Sequence, residues 1–170
     1  MNLDKMDTAK NIIKEMMMQR KYDFDTEEND TLIYNKPDNN QIIIFFSDTD
    51  KFNVKNIQLF ISVMNNLDIF HAIIVYKDGV TSFTKKAIEQ SVEIKFELFA
   101  MEDLQYNITK HRLQPQFIKL NDIEEFKKKY GTKFSILKID DPISKFYAYE
   151  KGDIIKVVRK DNTINYRIVK

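Results

Sequence analysis

The side chains able to do chemistry are few and of narrow type. Cysteine is absent, which removes disulfide frameworks, thiolate zinc sites, iron–sulfur clusters and thiol nucleophiles together. The two histidines, His71 and His111, lie far apart, so no multi-histidine metal motif is present. Three glycines cannot supply a phosphate-cradling loop, and neither HExxH nor a nucleophile elbow occurs. Acids and lysines remain. One enzymatic pattern fits them: Pro37-Asp38, then Glu93-Ile94-Lys95, with Asp48 or Asp50 helping. These resemble the acids with which Mg²⁺-dependent nucleases hold their metal. A surface strand carrying alternate charges explains Glu93 and Lys95 equally well. His111 reads as a catalytic candidate or as a hydrogen-bonded structural histidine, and His71 as a cap or packing residue before an apolar strand. Lys77, Lys85 and Lys86 flank the Gly79 loop, where lysines can neutralise phosphates without reading base sequence. Lysine pairs are equally at home on a solvated helix. Lys127-Lys128-Lys129 follow Glu124 and Glu125 by one turn, so helix-surface ion pairs account for them.

The elements that must position these residues belong to a globular protein. The chain has 170 residues, 43% apolar and 31% charged. That suits one ordinary domain or two small ones, not disorder. Residues 1–100 carry 12 Lys/Arg against 16 Asp/Glu, and residues 101–170 carry 15 against 10, a split of −4 and +5. This split favours two units with different partners. Twenty-three lysines against four arginines, beside 23 isoleucines, suggest an AT-rich genome. No run approaches the roughly 20 apolar residues of a membrane helix, and the start, MNLDKMDTAK, does not read as a secretory leader. The expectation is a soluble, intracellular protein with no membrane partner.

Periodicity then places the elements. Met6, Ala9, Ile12, Ile13, Met16 and Met17 predict a helix over 4–20 with one apolar face. Residues 25–40 are polar and turn-rich, with a short strand at 31–34. Gln41–Phe46 is apolar on both faces and predicts a central strand. A helix over 54–66 follows, then a buried strand at 71–76. Thr81 or Ser82 caps a short helix over 83–90, and 93–99 alternates as a third strand. Strand–helix–strand–helix–strand is an α/β unit with right-handed crossovers. Beyond it the pattern becomes α+β. Short strands are predicted at 106–109 and 117–120, with a helix from Asn121 or Asp122 to Tyr130. A short helix opens at Asp141-Pro142, and a hairpin of 153–159 with 164–169 follows Gly152. The domains expected are 1–99 and 100–170.

The second half resembles a known family. LQYNITKHRLQPQFIKLNDIEEFKKKY (104–130), DPISKFYAYEKGDIIKVVRK (141–160) and NYRIV (165–169) are similar to the assembly domain of the fifth subunit of eukaryotic nuclear RNA polymerases. Archaeal polymerases contain an equivalent of that domain. The most telling positions are Asn107, Ile108, Thr109, His111, Leu113 and Pro115, then Asp141, Pro142, Tyr147, Gly152, Asp153, Lys156, Arg159, Tyr166 and Arg167. More loosely, AKNIIKEMMMQRKYDF, IIIFF, AIIVYKDGVTSFTKKA and EIKFELF follow the eukaryotic jaw domain in order. The chain departs from the family at three kinds of place. A Thr-Pro-Ser-Ala signature near downstream DNA is Thr81-Ser82-Phe83-Thr84 here. A glycine usual after the helix aromatics is Ala148. Several loops are shorter.

The resemblance implies a non-catalytic subunit of multisubunit DNA-directed RNA polymerase, with no cofactor, no metal and no small-molecule substrate of its own. Its fold would be an N-terminal α/β jaw, a restriction-endonuclease-like sheet with flanking helices, and a small α+β assembly domain. The assembly domain would dock on the largest subunit and contact other subunits through Asp141, Pro142, Phe146, Tyr147, Gly152, Lys156, Arg159, Tyr166 and Arg167. The jaw would bring Lys77, Thr81, Ser82, Lys85 and Lys86 near downstream duplex DNA, a weak and non-specific contact inside the complex. The trimmed, lysine-rich chain looks like the subunit of a large DNA virus, working in the virion and host cytoplasm; a cellular version would work in the nucleus. The rival reading is the stand-alone Mg²⁺-dependent nuclease.

Overall fold

The computed structural model describes residues 3–28 and 30–170. Met1 and Asn2, in the start read as carrying no leader, and Asn29, in the polar 25–40 stretch, lie outside them. The chain divides into two compact units, Met1–Tyr106 and Asn107–Lys170. The expected boundary lay at 99/100. The chain instead runs from its last sheet strand straight into a 3-10 turn, Met101–Leu104, whose Met101 and Leu104 are buried.

The first unit opens with α1 (Leu3–Gln19). Met6, Ala9, Ile13, Met16 and Met17 are buried, the stripe that the 3.6-residue period demands. Strands β1 (Asp23–Glu28), β2 (Thr31–Asn35) and β3 (Gln41–Ser47) follow. β4 (Lys51–Phe52) precedes α2 (Val54–Leu67), which Asn53 and Asn56 open with a reciprocal capping box. Then come β5 (His71–Tyr76), β6 (Gly79–Val80), α3 (Ser82–Glu89) and β7 (Lys95–Ala100). The main sheet has the order β1-β2-β3-β5-β7. β1, β2 and β3 pair antiparallel, whereas β3, β5 and β7 run parallel. The parallel strands are joined through α2 and α3, as parallel pairs require.

The sheet is covered on both faces. Ile43, Phe45, Ala72 and Ile74 pack with Ile57 and Met64 of α2 and Ile88 of α3. The alternate residues Ile42, Ile44, Ile73 and Val75 are also fully buried. On their side the Lys10 ammonium of α1 lies 5.7 Å from the Phe46 ring centre. That two-sided burial is why QIIIFF and HAIIVY read as unbroken apolar runs.

The second unit begins with a 3-10 turn, Ile108–Lys110. The sequence predicts a strand at 106–109. The Asn107 side chain instead accepts from the Thr109 amide (3.0 Å) and hydroxyl (2.7 Å), which curls the backbone away from an extended path. β8 (Gln116–Lys119), α4 (Ile123–Tyr130), β9 (Ser135–Leu137), α5 (Pro142–Tyr147), β10 (Ile154–Val158) and β11 (Ile164–Val169) complete it. The sheet order is β8-β10-β11-β9, with β9 parallel to β11. Leu137, Ile143, Tyr149, Ile155, Val157 and Val169 form its core. The chain is thus mixed α/β throughout. Among the described residues no helix is long and apolar enough to cross a membrane.

Candidate functional site

The loop flagged near Gly79 is held by short-range chemistry. β4 and β6 form a two-residue parallel pair, and the Thr81 amide donates to the Phe52 carbonyl at 3.2 Å. Thr81 then caps α3. Its hydroxyl accepts from the Thr84 amide (3.3 Å) and lies 2.7 Å from the Thr84 hydroxyl. The Lys77 ammonium donates to Asp50 at 2.8 Å, which raises its pKa and offsets its charge. Ser82, Lys85 and Lys86 are exposed. Phe83, one of the departures from the signature, is 80% exposed. Of the three lysines, only Lys85 and Lys86 present cations with no acid partner among the described residues.

The acids of the nuclease pattern do not gather. Asp38 sits in the turn before β3, where its carboxylate accepts from the Asn40 side chain at 2.8 Å. Asp48 and Asp50 follow the far end of β3, about 20 Å away along a seven-residue strand. Glu93 lies in the connection before β7, which starts only at Lys95. Among the described residues no group of three His, Cys, Asp or Glu could hold a metal ion.

The structure assembles a different charged cluster, one that no local pattern in the sequence marks out. Arg20, just past α1, donates twice to Glu97, at 3.0 and 2.8 Å. The His71 Nε2–H donates to the same carboxylate at 2.7 Å. The Arg20 side chain is buried and that of Glu97 is 13% exposed. Burial pushes the Glu97 carboxyl up, but the Arg20 charge and the His71 hydrogen bond outweigh it and hold the pKa at about 2. The available signal was Glu97 itself, an acid facing the same way as buried Phe99. Both carboxylate oxygens are taken up internally, so the arrangement clamps α1 to the sheet.

In the second unit the predicted docking residues separate by face. Asp141 accepts from the Ile143 amide at 2.9 Å and caps α5, with Pro142 in its first turn. Phe146 is buried, so its ring is already enclosed within the chain and is not an exposed anchor. Half-buried Tyr147 sits between Phe146, edge-on at 5.4 Å, and Tyr149, stacked at 5.4 Å. Burial raises the pKa of both tyrosine hydroxyls. Ala148 ends α5 in the left-handed region, φ 52°. Gly152 has φ +95°, and its amide donates to Val169. Buried Asp153 accepts from the Glu150 amide (2.8 Å) and pairs with Lys119 (2.9 Å).

Register decides the rest. Lys156 lies opposite both Tyr166 and Ile118, so these three share a face. Arg167 lies opposite Ile155 and Ser135 on the other, and Arg159 falls in the exposed hairpin beyond β10. The Lys156–Tyr166 face carries Ile118, Ile136 and Ile164, which remain between 38% and 56% exposed. α4 covers its Tyr166 end, with Phe126 4.6 Å from the tyrosine ring. Lys156 and Tyr166 stand on the two central strands between Ile118 and Ile136 of the edge strands, and Ile154 of β10 on the same face is fully buried. Exposed Ile118 and Ile136 are therefore edge positions, with no concave site for a small substrate among these residues.

A family model described as RNA polymerase Rpb5, C-terminal domain, matches residues 106–169. A candidate DNA-directed RNA polymerase subunit of Invertebrate iridescent virus 6 is 45% identical over 107 residues, 55% of this chain and 58% of the relative. A subunit of Dictyostelium discoideum RNA polymerases I, II and III, rpabc1, is 33% identical over 159 residues, 85% of this chain and 81% of the relative. The Caenorhabditis elegans RPABC1 subunit is 30% identical over 139 residues, 76% of this chain. The matches span 58% of the viral relative and 66% of the nematode one, less than two thirds of each.

Proposed function

The chain belongs to the Rpb5 family of DNA-directed RNA polymerase subunits, and from that premise we propose that it docks on the largest subunit and forms part of the jaw beside downstream DNA. The family is one of non-catalytic polymerase subunits, so nucleotidyl transfer falls to other chains. The observation that carries the docking reading is the set of half-exposed isoleucines Ile118, Ile136 and Ile164 on one face of β8, β9 and β11, within the stretch that matches the family. Covering Ile118, Ile136 and Ile164 would release on the order of 1 kcal/mol each. Binding then uses what remains after the cost of association. Tyr147 and Gly152 support the same surface from behind, by stacking and by the turn into β10. The exposed Lys85 and Lys86 supply the electrostatic contact to phosphates. The site of action is the virion and host cytoplasm for a viral chain, the nucleus for a cellular one.

Copurification of the full chain with the largest polymerase subunit tests the proposal. Ile118→Lys with Ile136→Lys should reduce recovery at least about tenfold, since two charges would have to be desolvated, while thermal unfolding stays within a few degrees. Tyr147→Ala and Gly152→Val should weaken recovery less. Undiminished recovery of the double lysine variant would refute the docking face.

A further inference from the structure

The first unit has a groove apart from both the Gly79 loop and the Glu97 cluster. α2 turns Ile57 and Met64 to the core, yet Leu59, Val63 and Leu67, spaced four residues apart, stay 41% to 65% exposed. They form one wall of a groove of about 550 Å³ whose floor is Thr26, Thr31 and Ile33 of β1 and β2. The reason is topological. α2 and α3 cover the parallel part of the sheet, while β1 and β2 end the strand order. Two strands at about 4.8 Å spacing leave roughly 10 Å of sheet bare. That is the width of one helix packed at the usual 8–10 Å beside α2. From Leu59 to Leu67 the apolar wall spans nine residues, a rise of about 12 Å and slightly more than two turns.

The rim indicates what would lie there. β1 reads DFDTEE, and every one of its side chains is exposed. Glu27 is paired with Lys10. Asp25 and Glu28 have no cation partner among the described residues, and Glu28 itself lines the groove. Acids on an edge strand also guard against unwanted pairing, but that role does not explain an exposed i, i+4, i+8 apolar row on a helix. A second copy would bring the same acids to the rim in a two-fold contact, which like charges oppose. We infer that the groove between α2 and the β1–β2 ribbon receives an amphipathic helix of another protein, apolar on the buried side and lined with Lys or Arg toward β1. This helix-in-groove mode uses anchors at i, i+4 and i+7. The inference is independent of the docking and DNA readings.

The test is an NMR titration of the ¹⁵N-labelled full chain with two synthetic helical peptides of about fifteen residues. They share one leucine stripe; one carries flanking lysines, the other glutamates. The lysine peptide should shift the amides of Thr26, Thr31, Ile33, Leu59, Val63 and Leu67. It should bind at least about tenfold more tightly than the glutamate peptide. Leu59→Ser with Val63→Ser should abolish the shifts while the remaining spectrum stays that of the parent. Glu28→Lys, a surface change that leaves the core alone, should narrow or reverse the preference. No groove shifts with the lysine peptide, equal binding of both peptides, or groove shifts on merely concentrating the chain would each overturn the inference, the last by assigning the face to self-association.

Discussion

Glu97 shows how much one inward-facing acid can govern. With Arg20 and His71 in place its carboxylate is satisfied and its pKa sits at about 2, against an ordinary 4.5. A carboxyl depressed on folding adds stability that is complete above pH 4.5 and disappears as pH falls through 2. The loss should be on the order of a few kcal/mol, seen as a fall in urea midpoint across that window which Glu97→Gln flattens. Arg20→Met strands a buried charge and should cost about 3–5 kcal/mol at neutral pH, read by the same denaturation. Ala148 carries the opposite lesson. Its φ of 52° is a conformation that only glycine adopts freely. Ala148→Gly should therefore raise stability by about 1 kcal/mol, and a neutral or lower midpoint would show that the turn has relaxed around the methyl group.

At the scale of elements, local signals and pairing signals part company. α1, α2, β3 and β5 are legible because their apolar residues repeat at helical spacing or run unbroken. The cap of α5 is legible for the same local reason: an aspartate before a proline. Asp141→Ala should cost about 1 kcal/mol and lower the melting temperature by several degrees, measured by circular dichroism. β1 carries no periodic signal, because DFDTEE has no apolar alternation. Its six exposed residues are a strand only because β2 hydrogen-bonds to them. β9 is three residues long and exists by parallel pairing with β11. The 106–109 segment reads as a strand by residue type, but Asn107 supplies a local hydrogen bond that wins.

For the whole molecule, charge and surface carry the functional argument. Residues 1–100 hold a net −4, so the isolated chain should bind duplex DNA weakly at physiological salt. A gel shift showing tight, sequence-specific binding would contradict that. Inside an assembled polymerase, each phosphate contact contributes about 0.9 to the slope of log K against log salt. Lys85→Ala with Lys86→Ala should lower that slope for downstream DNA by roughly 1–2, and an unchanged slope would remove both lysines from the interface.

The amino-acid sequence alone determined the family and most of the regular elements. It also showed the lack of thiol, glycine-loop and multi-histidine chemistry, since these depend on residue type and on spacing within a few turns or strands. Tertiary structure decided the faces. It enclosed Phe146, separated Lys156 from Arg167, brought Arg20 to Glu97 across 77 residues, and left Leu59, Val63 and Leu67 open to solvent. Each of those outcomes turns on strand register and on which layer covers which side of a sheet, relations between distant segments that no local pattern encodes.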